Sequence, residues 1–134
     1  MEIERKIRVL LTKHPFDSHS AGFYIVATGL RDAGLEVILT TQLADEIIAT
    51  AIQENVDIIG YRIMAGEPSV LIQILFEKLR EKGIESIPVI VGGIIPEDEI
   101  PLLRKFGVSE VFPPGSKVSS IAGYIKELLG NSNK

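Results

Sequence analysis

At 134 residues, with 46% hydrophobic and 24% charged side chains, the chain is long enough for one buried core and too apolar for disorder. Its formal net charge of −4, with bases and acids interleaved, argues against nucleic acid as a partner, because such binders carry basic patches. Zero cysteines exclude disulfides, thiolate zinc sites, iron–sulfur clusters and cysteine nucleophiles together, and no apolar run reaches the roughly 20 residues that cross a bilayer.

The start, Met1-Glu2-Ile3-Glu4-Arg5-Lys6, has neither the basic opening nor the cleavage site of a secretory signal. A cytoplasmic protein without membrane contact is the expectation. A first strand runs from near Lys6 to Val9-Leu10-Leu11, followed by a helix over about Gly22 to Ala33. Val37-Ile38-Leu39 is the second strand, and the helix from about Ala44 to Glu54 carries Ile47, Ile48, Ala51 and Ile52 on one stripe. Ile58-Ile59-Gly60-Tyr61 is the third strand. The helix from about Pro68 to Lys82 should turn Leu71, Ile74, Leu75 and Leu79 inward. Val89-Ile90-Val91 leads to a helix over Pro96 to Phe106, and Glu110-Val111-Phe112 to one over Lys117 to Leu129. Short, branched, wholly apolar runs are what parallel strands covered on both faces require.

Gly34, Gly83 and Gly107 each follow a helix and precede a strand, where a left-handed residue ends a helix most easily. Pro68 and Pro96 suit a first helical turn, which spares one N–H. Five β-α units in regular alternation, joined by right-handed crossovers, predict an α/β fold. The expectation is one flavodoxin-like (Rossmann-like), doubly wound domain over residues 1–130, five parallel strands in the order 2-1-3-4-5, with a polar tail over 131–134.

Such a sheet binds ligands beyond its strand carboxyl ends, where the order reverses; here that is between strands 1 and 3. The first of these loops, Lys13 to Gly22, contains both histidines, His14 and His19, with Asp17 two residues before the second. A neutral imidazole is a common metal ligand, and its other nitrogen is usually held by a carboxylate. Asp17 can serve His19 in that way, with Lys13 behind Asp17. The plainer reading makes Asp17, Ser18 and Ser20 helix caps and leaves His19 solvated; for His14 the solvated reading is the stronger. The third loop, Arg62-Ile63-Met64-Ala65-Gly66-Glu67-Pro68, brings a cation and small residues to the same edge. Gly92-Gly93 forms either a strand-to-helix turn or a surface for a flat ligand, and Pro113-Pro114-Gly115-Ser116 is a stiff turn with Ser116 as a cap.

Several alternatives fall away. A phosphoacceptor receiver needs an acidic pair after strand 1 and an Asp ending strand 3, but Thr12-Lys13 occupies the first place and Asp57 begins its strand. The first loop lacks the hydroxyl-rich and glycine-rich run of a flavin phosphate site. Neither G-x-G-x-x-G nor G-x-x-x-x-G-K-[ST] occurs.

Asp17-Ser18-His19-Ser20-Ala21-Gly22 fits the D-x-H-x-x-G signature of cobalamin-binding domains. With Lys13 four residues ahead, and with Leu30 to Val37, Val56 to Gly60 and Pro88 to Pro96, the chain from about Lys6 to Leu129 resembles the acyl-CoA mutase branch. It is most similar to the separately encoded small subunits of methylmalonyl-CoA, isobutyryl-CoA and 2-hydroxyisobutyryl-CoA mutases. The resemblance implies adenosylcobalamin bound with its own base displaced and His19 as the lower axial ligand to cobalt. It also implies that Asp17 accepts the other imidazole N–H with Lys13 behind it, and that Gly22 leaves room for a nucleotide tail between the sheet and a helix. Gly92 and Gly93 would line that slot, and Gly115 and Ser116 would flank its far end.

One motif departs. The family carries S-x-L after strand 3, and this chain has Arg62-Ile63-Met64, then Gly66, Glu67 and Pro68. Met for Leu nearly conserves volume; Arg for Ser puts a long cation at the tail pocket, where it needs a partner or must turn to solvent. The implied activity is carbon-skeleton rearrangement, an isomerase reaction in which this chain carries the cofactor and is inactive alone. The implied partner is a large TIM-barrel subunit that binds the acyl-CoA, since a barrel takes about 250 residues. A scaffold that binds a protein without cofactor, or a cobalamin-dependent sensor or methyl carrier, are the alternatives.

Overall fold

The computed structural model describes residues 5–130; the expected tail at 131–134 and the first four residues of the N-terminal reading lie outside them. Five strands form one parallel sheet: β1 (Arg8–Lys13), β2 (Glu36–Thr41), β3 (Ile58–Ile63), β4 (Val89–Gly93) and β5 (Glu110–Phe112). Their order is β2-β1-β3-β4-β5, the doubly wound topology expected from the sequence. Between them run α1 (Ala21–Asp32), α2 (Ala44–Gln53), α3 (Pro68–Glu81), α4 (Ile100–Phe106) and α5 (Val118–Gly130).

Alternation along each strand sorts the apolar residues into two layers. Leu10, Ile59, Tyr61, Val89 and Val91 pack beneath α2, α3 and α4, while Val9, Leu11, Ile58 and Ile90 pack beneath α1 and α5. Gly34, Gly83 and Gly107 have φ of 93°, 68° and 128°, so each ends its helix in a conformation that costs other residues strain. Asn55 does the same after α2 with φ 52°, a signal the sequence reading did not use.

Some boundaries move. Four strands run two residues further than hydropathy suggests, to Lys13, Thr41, Ile63 and Gly93, so Arg62 and the Gly92-Gly93 pair are strand residues and not loop residues. Pro96 precedes a short 3-10 turn over Glu97–Glu99, and the helix proper starts at Ile100. Ile74 and Ile52 face outward, contrary to the expected stripes. Ile72 and Phe76 fill the inner face of α3 instead, because that helix is apolar around much of its girth and packing decides which side is covered.

Candidate functional site

Parallel register sets three strand ends level: Lys13 pairs with Arg62, and Arg62 with Gly92. All three lie on the α1/α5 face of the sheet, at the carboxyl end where the strand order reverses between β1 and β3. The loop from β1 into α1 rises directly above them.

In that loop Asp17 is only 3% exposed. Its Oδ1 accepts the backbone N–H of His19 at 3.0 Å and pairs with His19 Nδ1 at 2.7 Å. Its Oδ2 accepts the backbone N–H of Met64 at 3.0 Å, which ties the β1–α1 loop to the β3–α3 loop. Burial pushes the carboxyl pKa up, but the N–H groups of His19 and Met64 and the imidazole outweigh it and leave the group below its usual value. The buried Lys13 ammonium donates to the Asp17 carbonyl oxygen, so it supports Asp17 through the backbone and not through the carboxylate. Its charge also lies 5.7 Å from the Phe23 ring centre. Tyr61, buried in β3 near the same carboxylate, has its phenol pKa pushed up to about 12 by burial first and by the Asp17 charge second.

The His19 side chain stays 54% exposed. Its Nδ1 is committed to Asp17, and among the described residues no hydrogen bond engages Nε2. An imidazole gripped on one nitrogen by a buried carboxylate presents a lone pair at the other. His14 is not simply solvated: its Nδ1 accepts the Phe16 N–H at 3.1 Å and its carbonyl the Asp17 N–H at 2.9 Å. Ser20 sits at the N-cap position without a side-chain cap bond; its hydroxyl donates to the Ser18 carbonyl at 3.1 Å. Ala21 opens α1.

A cavity of about 140 Å³ lies between the sheet and helices α1 and α5, walled by Val9, Leu11, Phe23, Val26, Leu30, Ile90 and Ile121. Gly60 and Gly92 both line it from the α1/α5 face of the sheet; Leu11 Cδ1 packs 3.1 Å from where a Cβ on Gly60 would stand, whereas the space over Gly92 is open. A Cβ on Gly92 would meet nothing closer than the Phe112 carbonyl oxygen at 3.8 Å. Gly93 also lines the cavity, but its glycine is needed for another reason: φ is 119° and a Cβ would strike the Ile63 backbone. Gly115, with φ 83°, and Ser116, whose hydroxyl donates to the Pro113 carbonyl at 2.6 Å, close the far end.

Arg62 joins cavity and loop. A Cβ built on Gly22 would stand 2.9 Å from its Cζ and Nη1, so the space beside Gly22 holds this guanidinium. Arg62 Nε is buried and has no hydrogen-bond partner. Burial lowers the guanidinium pKa, and the Asp17 charge opposes that shift. Gly66 stands apart, a turn residue with φ 96°.

The structure therefore gathers Lys13, Asp17, His19 and Met64 into one polar cluster, and Arg62, Gly92, Gly93, Gly115 and Ser116 around one slot. Sequence reasoning missed Gly60, whose interruption of an apolar strand is itself a sign of close approach by another group. It also missed the α1 wall and the Met64 N–H, which acts as backbone. Among the described residues no three His, Cys, Asp or Glu side chains converge as a metal cage, and no helix is long and apolar enough to cross a membrane.

Comparison with known proteins sharpens the picture. A family model described as "B12 binding domain" matches residues 7–121. The chain is 38% identical over 125 residues to the 2-hydroxyisobutanoyl-CoA mutase small subunit of Aquincola tertiaricarbonis, covering 89% of this chain and 92% of that one. It is 40% identical over 126 residues to the pivalyl-CoA mutase small subunit of Xanthobacter autotrophicus, covering 92% and 84%. Methylmalonyl-CoA mutase of Cereibacter sphaeroides is 35% identical over 127 residues, 93% of this chain but 18% of that much longer one. Among solved structures, a cobalamin-binding protein from Desulfitobacterium hafniense superposes with a TM-score of 0.78 at 16% identity, covering 93% of this chain and 60% of that one. At that identity the likeness speaks for the fold.

Proposed function

We propose a function from one premise: this chain belongs to the B12-binding-domain family. It is the cobalamin-carrying small subunit of an acyl-CoA mutase, as two relatives of nearly its own length are called mutase small subunits. The Cereibacter mutase, which holds a matching segment within a far longer chain, supports a large catalytic partner here. In this reading that partner is a TIM barrel that binds the acyl-CoA, and the location is cytoplasmic, in keeping with a CoA thioester substrate.

The residues fit the cofactor on three counts. Nε2 of His19 is unengaged while Asp17 fixes the ring, so this nitrogen would hold the cobalt. The apolar cavity is of the size that takes a small aromatic ring; a comparable engineered void of about 150 Å³ binds benzene. The orphaned Arg62 guanidinium supplies a cation where a nucleotide tail would enter. The bound cofactor supplies radical chemistry through its cobalt–carbon bond. The chain supplies position. Asp17 orients the imidazole and makes its free nitrogen more basic, Lys13 and the Met64 N–H hold Asp17 in place, and α1 and α5 supply apolar walls to the slot. Because His19, Phe16 and Ile94 are exposed at this edge, the strand carboxyl ends are, in this reading, the face on which the partner closes.

The single observation that carries the reading is the Asp17–His19 pair. Titrating the purified chain with hydroxocobalamin tests it in the visible spectrum. We expect saturable binding with a shifted spectrum, and in His19→Ala a folded chain with that shift abolished and affinity reduced. The same spectrum and affinity in wild type and His19→Ala would remove His19 as ligand. A second reading, a scaffold that binds protein without cofactor, draws on Arg62 filling the space beside Gly22; a chain that stays colourless in excess hydroxocobalamin would favour it.

A further inference from the structure

Arg62 is the charged side chain among the residues that line the slot, and its environment is incomplete. Its Nε is buried without a partner, and among the described residues none of its N–H donors reaches a protein acceptor. Asp17, the acid whose charge it feels, is already spent. One of its oxygens takes the N–H and ring nitrogen of His19, and the other takes the N–H of Met64. A partly buried cation without an acceptor is costly, and a guanidinium presents a planar fork suited to two oxygens of a phosphate. The side chain lies across Gly22 at the mouth of the slot, with Nε covered.

We infer that Arg62 is the counter-ion for the phosphodiester of the cobalamin nucleotide tail, so that this chain selects corrinoids that carry a charged tail. The inference rests on the cobalamin reading above and adds a recognition role for a residue that replaces a neutral one in the family motif. On this account a phosphate oxygen accepts from the Arg62 Nε–H that no protein group engages. Tail binding gains a charge-assisted contact, and cofactor affinity becomes sensitive to salt.

The test uses the full chain and two corrinoid probes, hydroxocobalamin and cobinamide, which lacks the phosphodiester and nucleotide. Wild type, Arg62→Ser and Arg62→Lys are titrated by visible spectroscopy at low and high KCl, with thermal melts confirming that each is folded. Loss of a charge-assisted contact of this kind weakens binding by about tenfold to a hundredfold. Arg62→Ser should lose that much for hydroxocobalamin and show a flattened salt dependence. Arg62→Lys should fall between, and cobinamide affinity should be the same in wild type and Arg62→Ser. Tighter hydroxocobalamin binding by Arg62→Ser would show that the side chain only plugs the slot, overturning the inference. Unchanged affinity and salt slope would overturn it as well. Failure of the wild type itself to bind hydroxocobalamin would instead sink the cobalamin reading on which it stands.

Discussion

The two faces of the sheet are built to different ends. Beneath α2, α3 and α4 the layer is solid, with Leu10, Ile59, Ile72, Leu75, Val89 and Val91 all fully buried. Beneath α1 and α5 the same strands carry Gly60 and Gly92, which line the cavity, and the missing side chain of Gly92 leaves open space in it. One layer supplies stability, and the other gives up packing to make a site. The difference teaches that a glycine inside an apolar parallel strand can be read as space reserved for something else.

The comparison breaks most readily at the solid layer. Leu75→Ala should cost about 2–5 kcal/mol by chemical denaturation, the range for truncating a fully buried leucine that leaves a void. A loss below about 1 kcal/mol would mean that this layer is not the stabilising one. Next comes the polar cluster above the open face. Asp17→Asn removes a charged acceptor of three hydrogen bonds and should cost about 1.5–3 kcal/mol at pH 7. Because the Asp17 pKa is lowered on folding, its contribution is present above the unfolded carboxyl value of about 3.9 and is lost as pH falls through the folded one. The stability gap between wild type and Asp17→Asn should therefore close in acid; a gap that persists at low pH contradicts the account.

Gly92→Ala is the smallest and the most pointed. A methyl there meets only ordinary contacts, so stability should stay the same or rise by about 0.4–1 kcal/mol through reduced freedom of the unfolded chain. Cobalamin affinity should nevertheless drop, since the methyl enters the slot. A variant that is destabilised by more than about 1 kcal/mol, or that binds as before, would show that the cavity is not the reserved space.

The same contrast explains what the sequence disclosed. Apolar runs marked every strand, and Gly34, Gly83 and Gly107 marked the helix ends, because burial and left-handed backbone leave strong signatures in residue type. Hydropathy stopped at Leu11, Tyr61 and Val91 because the next residues are polar or glycine, yet pairing carries the backbone on through Lys13, Arg62 and Gly92. The strand ends that looked like loop are the row on which the site is built. The Asp17–His19 pair was legible from a two-residue spacing. The Met64 N–H that locks Asp17 was not, since a backbone donor has no residue signature, and neither was the course of Arg62 across Gly22, which depends on two distant segments meeting.

The central claim is that His19 donates to cobalt through the nitrogen that Asp17 leaves free. Electron paramagnetic resonance of the chain loaded with cobalt(II) cobalamin reads that bond directly. Unlabelled chain should show each cobalt line split into three by one axial nitrogen, and chain labelled with ¹⁵N-histidine should show it split into two. A three-line pattern that survives the label would place the cofactor's own base, and not this imidazole, on the metal.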